Sequence, residues 1–142
     1  MDQWLSGEYV APEKLENVLI DSKFVEQIFV YGDSYQNYLV AIIVPSKNAI
    51  VDFLNSKNIE CNKDNCQEFY ENKELKDEIL KDLEKFGKKA DLKGFEKIKK
   101  IYLSPEPFTV ENDLCTPTLK VRRHIAKKYF AEQLDKLYSE KI

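Results

Sequence analysis

The stretch Thr116-Pro117-Thr118-Leu119-Lys120-Val121-Arg122-Arg123-His124, continuing to Lys127 and Lys128, concentrates cations where a helix is about to begin. At a helix N-terminus the macrodipole disfavours each cation by a few tenths to about 1 kcal/mol, so something must offset the cost. Backbone N–H groups and basic side chains converging on a phosphate or a carboxylate would do so. Side chains that simply point into water would leave no site at all. A second stretch, Ser6-Gly7-Glu8-Tyr9-Val10-Ala11-Pro12-Glu13, sets a glycine and an extended apolar pair before a helix start. On its own residues it is a turn leading into a helix.

Other chemistries are poorly supplied. Gly7, Gly32, Gly87 and Gly94 stand apart from one another, so no glycine-rich loop can set successive N–H groups against a phosphate chain. His124 is the sole histidine, which removes His-based metal clusters and leaves one weak candidate base. Cys61 and Cys66 have four residues between them and no second ligand pair, and read as surface or core thiols rather than a zinc site. With Cys115 they make an odd count, and together with an N-terminus lacking signal-peptide character they imply a reducing, intracellular compartment. No catalytic metal site is expected.

These residues must be held by one core. The chain has 142 residues, 43% hydrophobic and 33% charged, a balance that folds as a single domain. A net charge of −3 provides no global basic field, so nucleic-acid binding is not expected and any basic site is local. The longest apolar run, from Leu39 to Val44, is far short of the roughly 20 residues that span a bilayer. No transmembrane segment is expected.

Pro12 at a first helical position, with Glu13 and Glu16 behind it and a stripe of Leu15, Val18 and Leu19, predicts a helix over about 12–21. Residues 24–31 and 38–44 read as strands joined by the Gly32-Asp33-Ser34 turn, too short for a helical crossover, so they pair antiparallel. The second strand is apolar without alternation and should be buried on both faces. Pro45-Ser46 opens a helix carrying Ile50, Phe53 and Leu54, and 55–65 is a loop. Leu75, Ile79, Leu83 and Phe86 mark a helix with Gly87 just past its end. Residues 98–103 form another strand, and a last helix over 122–140 buries Ala126, Phe130, Leu134 and Leu137. The expected fold is α+β, a small central antiparallel sheet flanked by helices, monomeric in isolation.

Three motifs then point to a family. Gly7-Glu8-Tyr9-Val10-Ala11-Pro12-Glu13-Lys14-Leu15-Glu16-Asn17-Val18, Pro105-Glu106-Pro107-Phe108-Thr109-Val110-Glu111-Asn112, and the run from Leu114 to Arg123 closely resemble the C-terminal domain of long-chain acyl-CoA synthetases, AMP-forming adenylating enzymes. The resemblance covers essentially the whole chain. It implies the mobile lid of an enzyme that joins fatty acid to ATP as an acyl-adenylate and then passes the acyl group to coenzyme A. By resemblance Lys120 is the catalytic lysine of adenylation, Gly7, Glu8 and Tyr9 line the coenzyme A channel after domain rotation, and Arg122 and Arg123 are candidate phosphate contacts.

The resemblance also implies that ATP, Mg²⁺ and coenzyme A are bound mainly by an N-terminal adenylating domain, the partner of this one, so the isolated chain is expected to be inactive. Residues 1–5 read as hinge-derived or as an addition ahead of the domain. The parent enzyme would sit on the cytoplasmic side, peripheral on a membrane. Two positions depart from the family's loop: Asp113 stands where glycine is expected and Cys115 where leucine is, which puts the loop's turn geometry in question. The alternative is a free-standing, non-catalytic α+β module that binds a protein or an acidic ligand.

Overall fold

The computed structural model describes residues 3–5, 8–10, 12–32, 38–90, 98–118 and 120–139. Its elements in order are β1 (Gln3–Leu5), β2 (Glu8–Val10), α1 (Pro12–Leu19), β3 (Val25–Gly32), β4 (Leu39–Pro45), α2 (Lys47–Ser56), a 3₁₀ turn at Cys66–Phe69, α3 (Lys73–Lys89), β5 (Ile98–Leu103), α4 (Arg123–Tyr129) and α5 (Ala131–Ser139). Strand order in the main sheet is β3-β4-β5.

β4 is the keel of the molecule. Every one of its residues is buried, as the unbroken apolar run requires. The pleat divides it: Leu39, Ala41 and Ile43 enter one core, while Val40, Ile42 and Val44 enter another. The first core is closed by Leu15 and Leu19 of α1, Ile50 and Leu54 of α2, and Leu75, Ile79 and Leu83 of α3. The second is closed by Ala126 of α4, Leu134 and Leu137 of α5, and Phe130 between them, with Phe108 and Leu114 from the intervening loop. The α+β class, the antiparallel β3–β4 pairing (Phe29 opposite Ile42) and the limits of both strands to within one residue therefore stand as expected.

Four details differ from the sequence expectation. β5 pairs parallel with β4, Ala41 opposite Ile101, making the sheet mixed rather than wholly antiparallel. The long connection through α2 and α3 carries the chain back to the start of the sheet before β5 begins, as a parallel crossover needs. Gly87 lies buried inside α3 rather than past its end, and Lys88 and Lys89 extend the helix with charges its C-terminus favours. The terminal helix is broken at Phe130 (φ −102°, ψ 19°). Phe130 packs edge-to-face on Phe108 at 5.8 Å, and the hydrogen bonds from Phe130 N–H to Ala126 and from Leu134 N–H to Phe130 keep the apolar stripe on one face across the break. Lastly, residues 3–5 pair antiparallel with 8–10, Trp4 opposite Tyr9, where the sequence reading had a turn and hinge residues. The signal was Ser6-Gly7 between two β-forming runs, a two-residue hairpin spacing.

α3 starts on Asn72, whose side-chain oxygen accepts from the Leu75 N–H at 3.0 Å. Asn72→Ala removes that cap and should cost about 1 kcal/mol, lowering the midpoint of a thermal melt by about 3–5 °C; an unchanged midpoint would show the cap to be redundant.

Candidate functional site

The Lys120 segment is a loop closed on itself before it is fastened to the body. Thr109 and Asn112 exchange side-chain bonds, Thr109 N–H to Asn112 Oδ1 at 2.9 Å and Asn112 N–H to Thr109 Oγ1 at 3.1 Å, the reciprocal pattern of a capping box. Asp113 follows at φ 65°. That left-handed position is where glycine is expected by resemblance, and aspartate is among the few residues that tolerate it; the turn is kept despite the substitution. Cys115, where the resemblance leads one to expect leucine, is buried in the second core as a small apolar side chain.

Beyond it, Cys115 bridges Val121 antiparallel. The N–H of Thr116 meets the Lys120 carbonyl at 2.8 Å, the N–H of Lys120 meets Thr116 Oγ1 at 3.1 Å, and the Arg122 N–H meets the Leu114 carbonyl at 2.8 Å. Lys120 is thus an exposed cation whose backbone is bonded to Thr116 beside the Cys115–Val121 bridge, with little backbone freedom to lose on engaging an anion.

Next comes the fastening. Arg123 donates to Glu16 Oε2 at 2.7 Å, and the same oxygen accepts from the Val30 N–H at 2.7 Å. Arg123 also donates to the Val30 carbonyl, and its guanidinium lies 4.9 Å from the Phe29 ring centre. β3 is an edge strand, so Val30's two backbone groups are served by side chains where another strand would otherwise serve them. The basic cluster at the start of α4 is therefore offset from within the chain: Glu16 answers Arg123, and Asp113 lies 3.5 Å from Arg122 in an exposed pair worth little. Of the two candidate phosphate contacts, Arg123 is engaged and Arg122 is exposed. His124 is exposed.

A cleft of about 470 Å³ runs between α1, the start of β3 and this loop, lined by Lys120, Val121, Arg123, Gln27 and the carboxylates Glu13, Glu16 and Glu26 among others. Of the other half of the sequence-predicted site, Glu8 and Tyr9 lie on β2, and Gly7 lies outside the described residues. Cys61, Cys66 and Cys115 are free thiols. Among the described residues no three His, Cys, Asp or Glu side chains converge on a metal-sized position. No helix among them is long and apolar enough to cross a membrane.

With the geometry in place, the chain can be compared with known proteins. No family model matches it. It is 43% identical over 132 residues to long-chain-fatty-acid–CoA ligase 5 of Mus musculus, covering 93% of this chain and 19% of the relative. It is 46% identical over 133 residues to ligase 6 of Rattus norvegicus (94% and 19%), and 41% over 134 residues to the peroxisomal long chain acyl-CoA synthetase 7 of Arabidopsis thaliana (94% and 19%). Over more than nine-tenths of its length the chain is similar to long-chain acyl-CoA synthetases. It spans about a fifth of the length of these synthetases. The fold matches the adenylation domain of a carboxylate reductase from Mycobacterium chelonae with a TM-score of 0.81 at 32% identity, covering 98% of this chain and 19% of that one. It also matches the A-PCP didomain of the Segniliparus rugosus carboxylic acid reductase, solved in complex with AMP (TM-score 0.80, 30%, coverage 97% and 17%). Synthetase homologues and adenylation-domain structures thus converge on the AMP-forming superfamily.

Two measurements test the Glu16–Arg123 joint. The side chains retain only 12% and 13% exposure, so Arg123→Ala strands a mostly buried carboxylate and should cost roughly 2–3 kcal/mol in urea unfolding, below the full range for a fully buried pair; a loss below about 0.5 kcal/mol would mean the pair is idle. Burial, outweighing Arg123 and the Val30 hydrogen bond, raises the Glu16 carboxyl above its ordinary value of 4.5. The native state thus holds that proton more tightly than the unfolded chain, and this contribution is fully present below 4.5 and lost as pH rises through the folded value. Unfolding free energies measured against Glu16→Gln should therefore turn against the wild type as pH climbs from 4.5; the reverse slope would show the ion pair outweighing burial.

Proposed function

We propose that this chain is the C-terminal lid domain of an ATP-dependent, AMP-forming long-chain fatty-acid–CoA ligase. The supporting observation is identity of 41–46% to ligases and synthetases of that name across more than nine-tenths of the chain. Fatty acid, ATP and coenzyme A are the proposed substrates, bound mainly by an N-terminal adenylating domain, which also holds the Mg²⁺ that neutralises the triphosphate.

In the first step a fatty-acid carboxylate oxygen bonds to the α-phosphorus of ATP, and the bond to the bridging oxygen breaks, releasing diphosphate. Both reactants are anionic, and a fixed cation at the forming bond lowers the barrier by stabilising charge that develops there. Lys120 is proposed for that role. Its exposed side chain on a hydrogen-bonded turn can be carried in by rigid rotation of the domain, and Arg122, exposed two residues on, is proposed to contact a phosphate. Arg123, already engaged with Glu16, is proposed to hold the loop.

In the second step the coenzyme A thiolate bonds to the acyl carbon and AMP leaves. For this the domain is proposed to turn so that Gly7, Glu8 and Tyr9 line the pantetheine channel, glycine leaving room for a ligand close to the backbone.

The two steps separate by mutation. In the full-length enzyme Lys120→Ala should slow acyl-adenylate formation by about 10²–10³-fold while thioester formation from supplied acyl-adenylate changes little, since an interaction absent from a transition state cannot accelerate it. Equal losses in both would point to general structural damage. Gly7→Leu should do the opposite, sparing adenylation and slowing transfer to coenzyme A; lost adenylation with normal transfer would contradict the two-state reading.

A further inference from the structure

The pairing of β3 with β4 slips between Val25 and Gln27, and such a bulge re-aims the side chains around it. Here the Gln27 amide meets a residue 81 positions along the chain: Nε2 donates to the Phe108 carbonyl at 2.9 Å and Oε1 accepts from the Phe108 N–H at 2.8 Å. One side chain thus serves both backbone groups of one residue, a rung of β-ladder built from an amide, and only Asn and Gln carry a neutral donor and acceptor in that planar arrangement.

Phe108 is where the Lys120 loop leaves the body. Its carbonyl also accepts the Cys115 thiol at 3.5 Å, and Cys115 is the bridge partner of Val121, the residue after Lys120. The next carbonyl, of Thr109, takes the N–H groups of Leu114 and Cys115 at 3.1 and 3.2 Å. Glu16 fastens the far end of the loop through Arg123; Gln27 fastens the near end and lines the same cleft as Lys120. We propose that Gln27 is a positioning residue that sets the placement of Lys120 through the main chain of Phe108. Its catalytic consequence rests on the reading of Lys120 as the adenylation lysine; its structural part does not.

Gln27→Met keeps the side chain's length and removes both hydrogen bonds, while Gln27→Glu keeps the acceptor alone and serves as the milder variant should the first fold poorly. In the 142-residue chain, hydrogen exchange at the Thr116 and Arg122 amides should accelerate roughly 10-fold while the β3–β4 ladder keeps its protection. In the full-length enzyme, Gln27→Met should slow adenylation roughly 10-fold through misplacement, leave thioester formation within about 2-fold, and add nothing in a Lys120→Ala background. Unchanged loop exchange, uniform acceleration across the sheet, equal losses in both half-reactions, or an undiminished loss in the Lys120→Ala background would each overturn the proposal. If Lys120→Ala alone leaves adenylation intact, the reading of Lys120 fails while the exchange result still decides whether Gln27 sets the loop.

Discussion

A single carboxylate oxygen on α1 joins three parts of this molecule. Glu16 Oε2 holds the free edge of β3 through the Val30 N–H and the first residue of α4 through Arg123. Removing two charges from water is costly, and the raised pKa of Glu16 records that cost. What the fold gains is registry: with Arg123 also on the Val30 carbonyl and stacked over Phe29, α4 can leave the sheet at one place only, and the loop before it is anchored.

That constraint divides the basic cluster into working parts. Arg123 is consumed in architecture, Arg122 is left on the surface beside Asp113, and Lys120 stands three residues before the joint on a turn whose backbone groups bond to one another. On the proposed reading, a cation carried to an active site outside this chain by domain rotation has to arrive in a fixed geometry, because the rotation itself supplies none. Asp113 takes the left-handed position at which the resemblance leads one to expect glycine.

What could be read from the sequence followed from local order. The unbroken apolar run of β4, the stripe of α3 and the short β3–β4 turn are signals within one or two helical turns, and each gave its element. The stripe of α4 and α5 was also legible, yet the break at Phe130 was not, because a one-residue cap keeps the same face buried. Pairings across long separations left no local trace: Glu16 with Arg123 lies 107 residues apart, and Gln27 with Phe108 81. For that reason the excess of positive charge before α4 read equally well as an anion site, while its counter-ion was already present in α1. The parallel direction of β5 was hidden likewise, since strand composition carries no sign of direction.

On the proposed reading, this loop delivers Lys120 to an adenylating centre outside the 142 residues. The most direct measurement is a structure of the full-length enzyme bound to a non-hydrolysable acyl-adenylate analogue in the adenylation conformation. Lys120 Nζ should lie within about 3 Å of the analogue's acyl or α-phosphate oxygens, with the Glu16–Arg123 pair unbroken. A different cation in that position, with Lys120 left in solvent, would contradict it.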